Sequence, residues 1–166
     1  AFYASFHALN GASDCPTIYC SSRGELQRAE SILLDIARGD DLSPTAFGLS
    51  VHNAIGGQFS ILFANKEPMV AVAPMAQDYL SAFIEALGHL NEGKASVLLV
   101  FYEEAAPAFF APYCNDAAFP YALAVKITRP QLDKKSWQLD YTEKSVENGE
   151  SLPSLLQLIQ FFVQSQ

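Results

Sequence analysis

Apolar and polar positions near the start of the chain predict a strand followed by a helix. The β-prone run Thr17–Cys20 lies between turn-forming residues, as a short buried strand does. From Leu26 onward, apolar side chains recur at helical spacing and stop before Gly39, a residue suited to a left-handed helix end. Ser22 and Glu25 have the spacing of a capping box, in which both side chains take backbone amides. We therefore expect a capped helix directly after the strand.

The middle of the chain predicts two further helix starts. Ser43 and Pro44 are the residue types of a helix N-terminus, because serine caps the first turn and the missing N–H of proline costs nothing there. Ser50 is a second cap candidate, ahead of a segment that contains Gly56 and Gly57. Each glycine inside a helix costs about 1 kcal/mol relative to alanine. We therefore expect another part of the chain to approach this helix closely.

The remaining pattern alternates strands with helices. The apolar run 69–73 lacks polar alternation, which is typical of a strand buried on both faces. A helix pattern then extends to residue 93, and strand patterns follow at 97–102 and 121–128. The polar segment 134–149 predicts an exposed strand or hairpin. Together these patterns predict an α/β fold with helices on both faces of a mainly parallel or mixed sheet.

Both ends of the chain also have helical patterns. Phe2, Phe6 and Leu9 match the end of a helix whose beginning is missing, and the chain lacks an initiator methionine. We therefore expect that an upstream segment has been lost from the N-terminus. Residues 152–163 are apolar around much of a helical circumference, which is typical of a helix covered on more than one side.

Composition predicts one globular domain, residues 1–166. Half of the residues are apolar and 17% are charged, which excludes a disordered tail. No apolar run approaches the roughly 20 residues that span a bilayer, and no basic region marks a signal peptide. The formal charge of −8, with no basic cluster, argues against a nucleic-acid partner and against an anionic membrane surface.

The three cysteines, Cys15, Cys20 and Cys114, fit no metal-ligand spacing. An odd number of cysteines without a disulfide framework is typical of a reducing compartment. We therefore expect a cytoplasmic protein without a metal or other cofactor.

Residues 43–104 resemble the nucleophile-bearing half of a β-ketoacyl synthase. The motifs that carry the resemblance follow one another without gaps: Ser43-Pro44 with Phe47 for S-P-x-x-F, residues 53–61 for N-x-A-A-G-Q-I-S-I, residues 66–68 for K-G-P, residues 92–97 for R-G-x-A-D-V, and Glu104 near a family glutamate. The sequence of residues 43–55 is similar to that of a subgroup of small ketosynthase-like proteins, which correspond to the N-terminal half alone. The resemblance implies half of a thiolase-like fold, with a five-stranded mixed sheet and without the half that carries the catalytic histidines.

The resemblance also locates the position of the family's cysteine nucleophile. A condensing enzyme needs a thiolate at a helix N-terminus, but this chain has Met75, Ala76 and Gln77 there. Glutamine at this place resembles chain-length factors, which pair with an active ketosynthase. The alternative is that these three residues only begin a helix and pack. His52 and Asn53, at a helix start, could polarise a carbonyl group, but a capping role is the simpler interpretation.

The sequence thus predicts a non-catalytic ketosynthase-like accessory protein of fatty acid, polyketide or aryl-polyene-type biosynthesis. The implied partners are a ketosynthase, an acyl carrier protein, or a second copy of this chain. In the family, the strand before the nucleophile pairs with its counterpart across a twofold axis. The resemblance therefore implies a dimer strand at Met69, Val70, Ala71, Val72 and Ala73 in this chain. Two alternatives stay open: an acyltransferase or thioesterase that uses Cys20, and an acyl-ligand binder with a cavity beneath Ala76. A buried, unreactive cysteine is the simpler interpretation of Cys20.

Overall fold

The structure is a computed structural model that describes residues 1–11, 14–74, 79–114, 119–131, 136 and 154–164. Its elements, in chain order, are α1 (Phe2–Leu9), β1 (Thr17–Cys20), α2 (Leu26–Arg38), α3 (Pro44–Ser50), α4 (Ala54–Leu62), β2 (Met69–Val72), α5 (Leu80–Asn91), β3 (Ser96–Glu103), a 3₁₀ turn (Ala111–Tyr113), β4 (Tyr121–Thr128) and α6 (Ser154–Gln164). The strands β1 and β4 have the predicted bounds, and both ends of the chain are helical as predicted.

The sheet has the order β2-β1-β3-β4. Strands β2, β1 and β3 are parallel, and β4 runs antiparallel to β3. The mixed sheet predicted from the sequence is confirmed, but the described residues contain four strands where five were expected. The segment predicted as a further strand or hairpin, 134–149, lies outside the described residues apart from residue 136.

Helices cover both faces of this sheet, as predicted. On one face α5 and α6 pack against the sheet around the buried residues Ile18, Leu99, Phe101, Phe83 and Leu155. On the other face α1 and α4 pack around Leu9, Tyr19, Phe59, Val100 and Tyr102. The strands β1 and β3 lie between these layers and are almost completely buried, which explains their unbroken apolar pattern. In contrast, β2 lies at one edge and is only half-buried, so the prediction of burial on both faces was wrong for it.

The helix starts agree with the sequence only in part. Ser43 accepts a hydrogen bond from the amide of Ala46, with Pro44 in the first turn, as predicted. Ser50 does not begin a helix: it ends α3, and its hydroxyl donates to the carbonyl of Phe47. The capping box at residues 22–25 was also wrong, since no side chain caps α2.

Gly56 is a position where α4 lies close to the sheet. A Cβ atom at Gly56 would overlap the Met69 side chain on β2, whereas one at Gly57 would meet no atom within 4 Å. The predicted close approach is therefore confirmed at Gly56 alone. It brings α4 against the edge strand of the sheet.

Candidate functional site

The carboxyl ends of β1, β2 and β3 meet at one edge of the sheet. Because these strands are parallel, the residues that follow β1 lie next to the end of β2, and the amide of Ser21 donates to the carbonyl of Val72 over 3.2 Å. Glu103 ends β3 on the other side of β1. Ligand and catalytic sites of α/β sheets form at such edges, so this edge is the candidate site.

A buried carboxylate organises this edge. Glu103 is 2% exposed, and its two oxygens accept from the amide of Ser22 at 2.5 Å and from the hydroxyl of Ser21 at 3.2 Å. The Arg23 guanidinium lies 3.7 Å from the same carboxylate. A buried charge is tolerated when it is paired and hydrogen-bonded in this way. Glu103 therefore holds the turn between β1 and α2 against the end of β3.

Ser21 closes this turn from within. Its hydroxyl oxygen accepts the amides of Gly24 at 2.7 Å and Arg23 at 3.3 Å. These bonds satisfy two amides of the turn, and the amide of Ser22, which the predicted capping box assigned to Glu25, donates to Glu103 instead. The hydroxyl of Ser22 has no hydrogen-bond partner within the described part of the chain. The side chain that organises the turn is thus one residue earlier than predicted.

His52 is held against the same turn. Its Nε2 lies 2.8 Å from the carbonyl oxygen of Ser21, and because a carbonyl only accepts, Nε2 carries the proton. The imidazole covers Gly24, where a Cβ atom would lie 2.6 Å from His52 Cδ2. The ring therefore connects the start of α4 to the β1–α2 turn. This contact supports the structural interpretation of His52, but the Asn53 side chain makes no capping bond at the start of α4.

The outer edge of β2 is the second feature of the site. The carbonyls of Pro68 and Val72 accept from β1, so alternate residues of β2 face β1. Met69 and Ala71 then direct their N–H and C=O groups away from the sheet. Within the described residues no strand pairs with this side of β2.

The comparisons with known proteins agree with this geometry. The family "Beta-ketoacyl synthase, N-terminal domain" matches residues 1–166. The chain belongs to this family. None of the curated proteins is significantly similar to it.

A solved structure of the family has the same fold. It is described as "Ketosynthase (ApeO) in Complex with its Chain Length Factor (ApeC) from Xenorhabdus doucetiae". A chain of that complex is similar to this one at 26% sequence identity and a TM-score of 0.86, over 100% of this chain and 68% of that one. The predicted family and the half-thiolase-like α/β fold are therefore confirmed.

The positions predicted to replace the family's nucleophile, Met75, Ala76 and Gln77, lie outside the described residues. They follow β2, which ends at Val72, and precede α5, which begins at Leu80. No cysteine occurs between these two elements in the sequence. The pseudo-active-site interpretation of this segment stays a prediction.

Cys20 is a poor candidate for a relocated nucleophile. It is fully buried in the core on the α5 side of the sheet, and burial, with a smaller contribution from Glu103, raises the pKa of its thiol to about 12. At neutral pH roughly one thiol in 10⁵ would be ionised, and only the thiolate attacks. Burial also raises the pKa of the Cys15 thiol. These environments favour the interpretation of both cysteines as small core residues.

We expect iodoacetamide at about pH 8 to alkylate the half-buried Cys114 and to spare Cys15 and Cys20 in the folded protein. The raised pKa of Cys20 means that folding favours its neutral thiol, so this stabilisation is complete below pH 9 and is lost between pH 9 and 12. Labelling of Cys20 should therefore require alkaline pH or denaturant. Intact-protein mass spectrometry with peptide mapping measures this, with guanidinium-unfolded protein as the control. Rapid labelling of Cys20 at pH 8 would revive the enzyme alternative.

Within the described ranges, no three His, Cys, Asp or Glu side chains are grouped as metal ligands would be. In the same part of the chain, no helix combines the length and the apolar character that a membrane span requires. Sequence reasoning missed Glu103 and selected its neighbour Glu104, which is exposed. The available signal was the position of Glu103 directly after the apolar run 97–102, because a carboxylate that continues a buried strand needs partners.

Proposed function

We propose that this chain is a non-catalytic accessory subunit, similar to a chain-length factor, that acts by association with a ketosynthase. The observation that carries the proposal is the likeness over the whole chain to a chain of a ketosynthase–chain length factor complex. The family match over residues 1–166 supports it. The sequence between β2 and α5 contains no cysteine, the nucleophile that condensation in this family needs, which supports a role other than condensation.

The outer edge of β2 is our candidate for the contact with the ketosynthase. An edge strand with free N–H and C=O groups is a template for pairing with another chain. The family resemblance gives this role to Met69, Val70, Ala71, Val72 and Ala73. Because alternate residues of β2 face β1, the N–H of Ala71 points away from β1. The approach of α4 at Gly56 holds this strand from one face.

We expect Ala71→Pro to weaken binding to the ketosynthase of the same organism by at least tenfold. Proline removes the outward N–H and its ring stands in the path of a pairing strand, and a tenfold change corresponds to about 1.4 kcal/mol, or one lost backbone hydrogen bond. The hydrogen bonds to β1 come from the neighbouring residues, so the sheet should remain intact. Co-expression, purification and biolayer interferometry of the complex measure the effect.

Ala71→Ser is the matched control, because it adds a small side chain and keeps the N–H. It should bind as the unchanged protein does, and circular dichroism should show equal helix content for both variants. Equal affinity of Ala71→Pro and Ala71→Ser would remove β2 from the interface. An unchanged chain that stays monomeric and binds no ketosynthase would overturn the proposed function itself.

The finer assignments belong to the same proposal. We place the protein with cytoplasmic fatty acid, polyketide or aryl-polyene-type machinery, and its free cysteines suit that compartment. An acyl carrier protein is a further candidate partner, and a homodimer through β2 is the competing assembly. Native mass spectrometry of the co-expressed proteins distinguishes the heterodimer from the homodimer. Adding carrier protein to the purified complex tests the third component.

A further inference from the structure

The helices α2 and α3, with the turn between them, form a helical arm over residues 26–50. Its apolar pattern predicts a core-facing helix, yet neither α2 nor α3 has a buried residue. The large apolar side chains of the arm that stay exposed are Leu33, Leu34, Ile36, Leu42 and Phe47. Exposed apolar side chains gathered on one unit mark interaction surfaces, whereas scattered ones carry no such meaning.

A groove runs between the two helices of the arm. It has a volume of about 230 Å³ and is lined by Ile32, Asp35, Leu42, Pro44, Ala46 and Phe47. Small-molecule sites usually measure about 300–1,000 Å³, so this groove suits a side chain better than a ligand. Its walls are apolar except for the carboxylate of Asp35 and the hydroxyl of Ser43. It therefore fits an apolar side chain of a protein partner.

The charge around the groove restricts that partner. The arm carries four carboxylates, at Glu30, Asp35, Asp40 and Asp41, against two guanidinium groups, at Arg28 and Arg38. Arg28 already pairs with Glu25, with 2.9 Å between Nε and Oε2. Asp40 and Asp41 lie in the exposed turn beside the groove. A complementary surface would carry lysine or arginine next to its apolar side chain.

The same charge argues against a second copy of this chain as the occupant. A twofold interface through the arm would bring two acidic turns together, in a protein whose formal charge is −8. The arm is also continuous with the edge strand: α2 contacts α3, α3 contacts α4, and α4 contacts β2. A partner that pairs with β2 can therefore extend across α4 onto the arm.

We propose that the groove of the helical arm is a docking site for the ketosynthase partner, and that it receives an apolar side chain flanked by lysine or arginine. This inference rests on the proposed function and adds a second contact to the one at β2. Phe47 and Leu42 supply the apolar walls, and Asp35, Asp40 and Asp41 supply the charge. The charge contribution makes the association sensitive to salt.

The test measures the affinity of full-length variants for the ketosynthase of the same organism. Leu42→Asp with Phe47→Asp should weaken binding at least tenfold. Leu87→Asp is the matched control, because Leu87 on α5 is 52% exposed and Leu42 is 49% exposed. The charge reversal Asp40→Lys with Asp41→Lys should weaken binding and flatten its dependence on sodium chloride. Hydrogen exchange of the unchanged complex should show protection at residues 33–47.

The outcomes separate the two proposals. Binding of the unchanged chain, together with full affinity of both arm variants, overturns the docking site and leaves the proposed function standing. A homodimer that the arm variants dissociate overturns the choice of occupant. No binding of the unchanged chain to the ketosynthase overturns both proposals. If the Leu42→Asp, Phe47→Asp chain loses its circular dichroism signal, the surface charge reversal and hydrogen exchange decide, because neither disturbs apolar packing.

Discussion

Replacing Glu103 with alanine is expected to lower the free energy of unfolding by about 3–5 kcal/mol. The carboxylate is buried and accepts from the amide of Ser22 and the hydroxyl of Ser21, with the Arg23 guanidinium 3.7 Å away. Its removal leaves the Ser21 and Ser22 donors without this acceptor and takes the paired negative charge away from the largely buried Arg23 guanidinium. Urea unfolding followed by circular dichroism measures the loss.

Glu104→Ala is the neighbouring control, and since its side chain is exposed we expect a change within about 0.5 kcal/mol. A double-mutant cycle with Arg23→Met separates the ion pair from the hydrogen bonds, because the coupling between the two sites measures the pair alone. Glu103→Gln keeps the shape and one acceptor oxygen, so its cost should fall between those of alanine and the unchanged residue. Equal stabilities of the Glu103→Ala and Glu104→Ala proteins would contradict the role given to Glu103.

The Glu103 network lies where the ends of β1, β2 and β3 meet. Glu103 fixes the turn after β1, and the first residue of that turn, Ser21, bonds to Val72 at the end of β2. Residues 75–77, which the family resemblance predicts to replace the nucleophile, come between β2 and α5 in the sequence. A network of hydrogen bonds thus joins the ends of β1, β2 and β3. In the accessory subunit that we propose, these hydrogen bonds would hold the β2 edge in position for pairing.

The strands were predictable because their signal is local. Thr17–Cys20 is a run of β-branched, aromatic and other apolar residues, Tyr121–Thr128 is such a run apart from Lys126, and both runs are strands with these bounds. The layers on both faces follow from the alternation of strands and helices. The half-buried state of β2 could not be predicted in this way, because a central strand and an edge strand can have the same apolar sequence pattern.

The polar contacts of the site were not predictable, because they depend on residues distant in sequence. Ser21 and Glu103 are 82 positions apart, and no pattern in either segment indicates the other. The capping box at Ser22 fitted a local rule. In the structure, however, the hydroxyl of Ser21 accepts the amide of Gly24 in the turn, and α2 begins only at Leu26. Local rules therefore located the helix and missed the residue that positions it.

The sequence also did not predict that the apolar side chains of α2 would stay exposed. Its apolar spacing matches a core helix, but Leu33 and Ile36 are both more than half exposed. A hydrophobic stripe indicates that one face of a helix becomes buried. It does not indicate whether the core of the same domain or a partner protein buries that face. The exposure of these side chains in the structure makes that distinction, and it supports the docking site proposed for the helical arm.

Gly24→Ala is expected to destabilise the fold by about 2–5 kcal/mol, from two separate causes. The residue has φ of +57°, and an L side chain in this left-handed region costs about 1–2 kcal/mol. The added Cβ would also lie 2.6 Å from His52 Cδ2, and overpacking of this kind costs about 1–3 kcal/mol. The imidazole cannot move away freely, because its Nε2 donates to the carbonyl of Ser21. Thermal and urea unfolding measure the total.

Gly39→Ala separates these two causes. Gly39 ends α2 with φ of +76°, but a Cβ atom there meets nothing within 4 Å, so only the backbone cost of about 1–2 kcal/mol applies. In a His52→Ala background the cost of Gly24→Ala should fall to that of Gly39→Ala, because the obstructing ring is gone. If Gly24→Ala costs the same with and without His52, the ring does not restrict this turn. His52 would then be available for a role other than the structural one described for it.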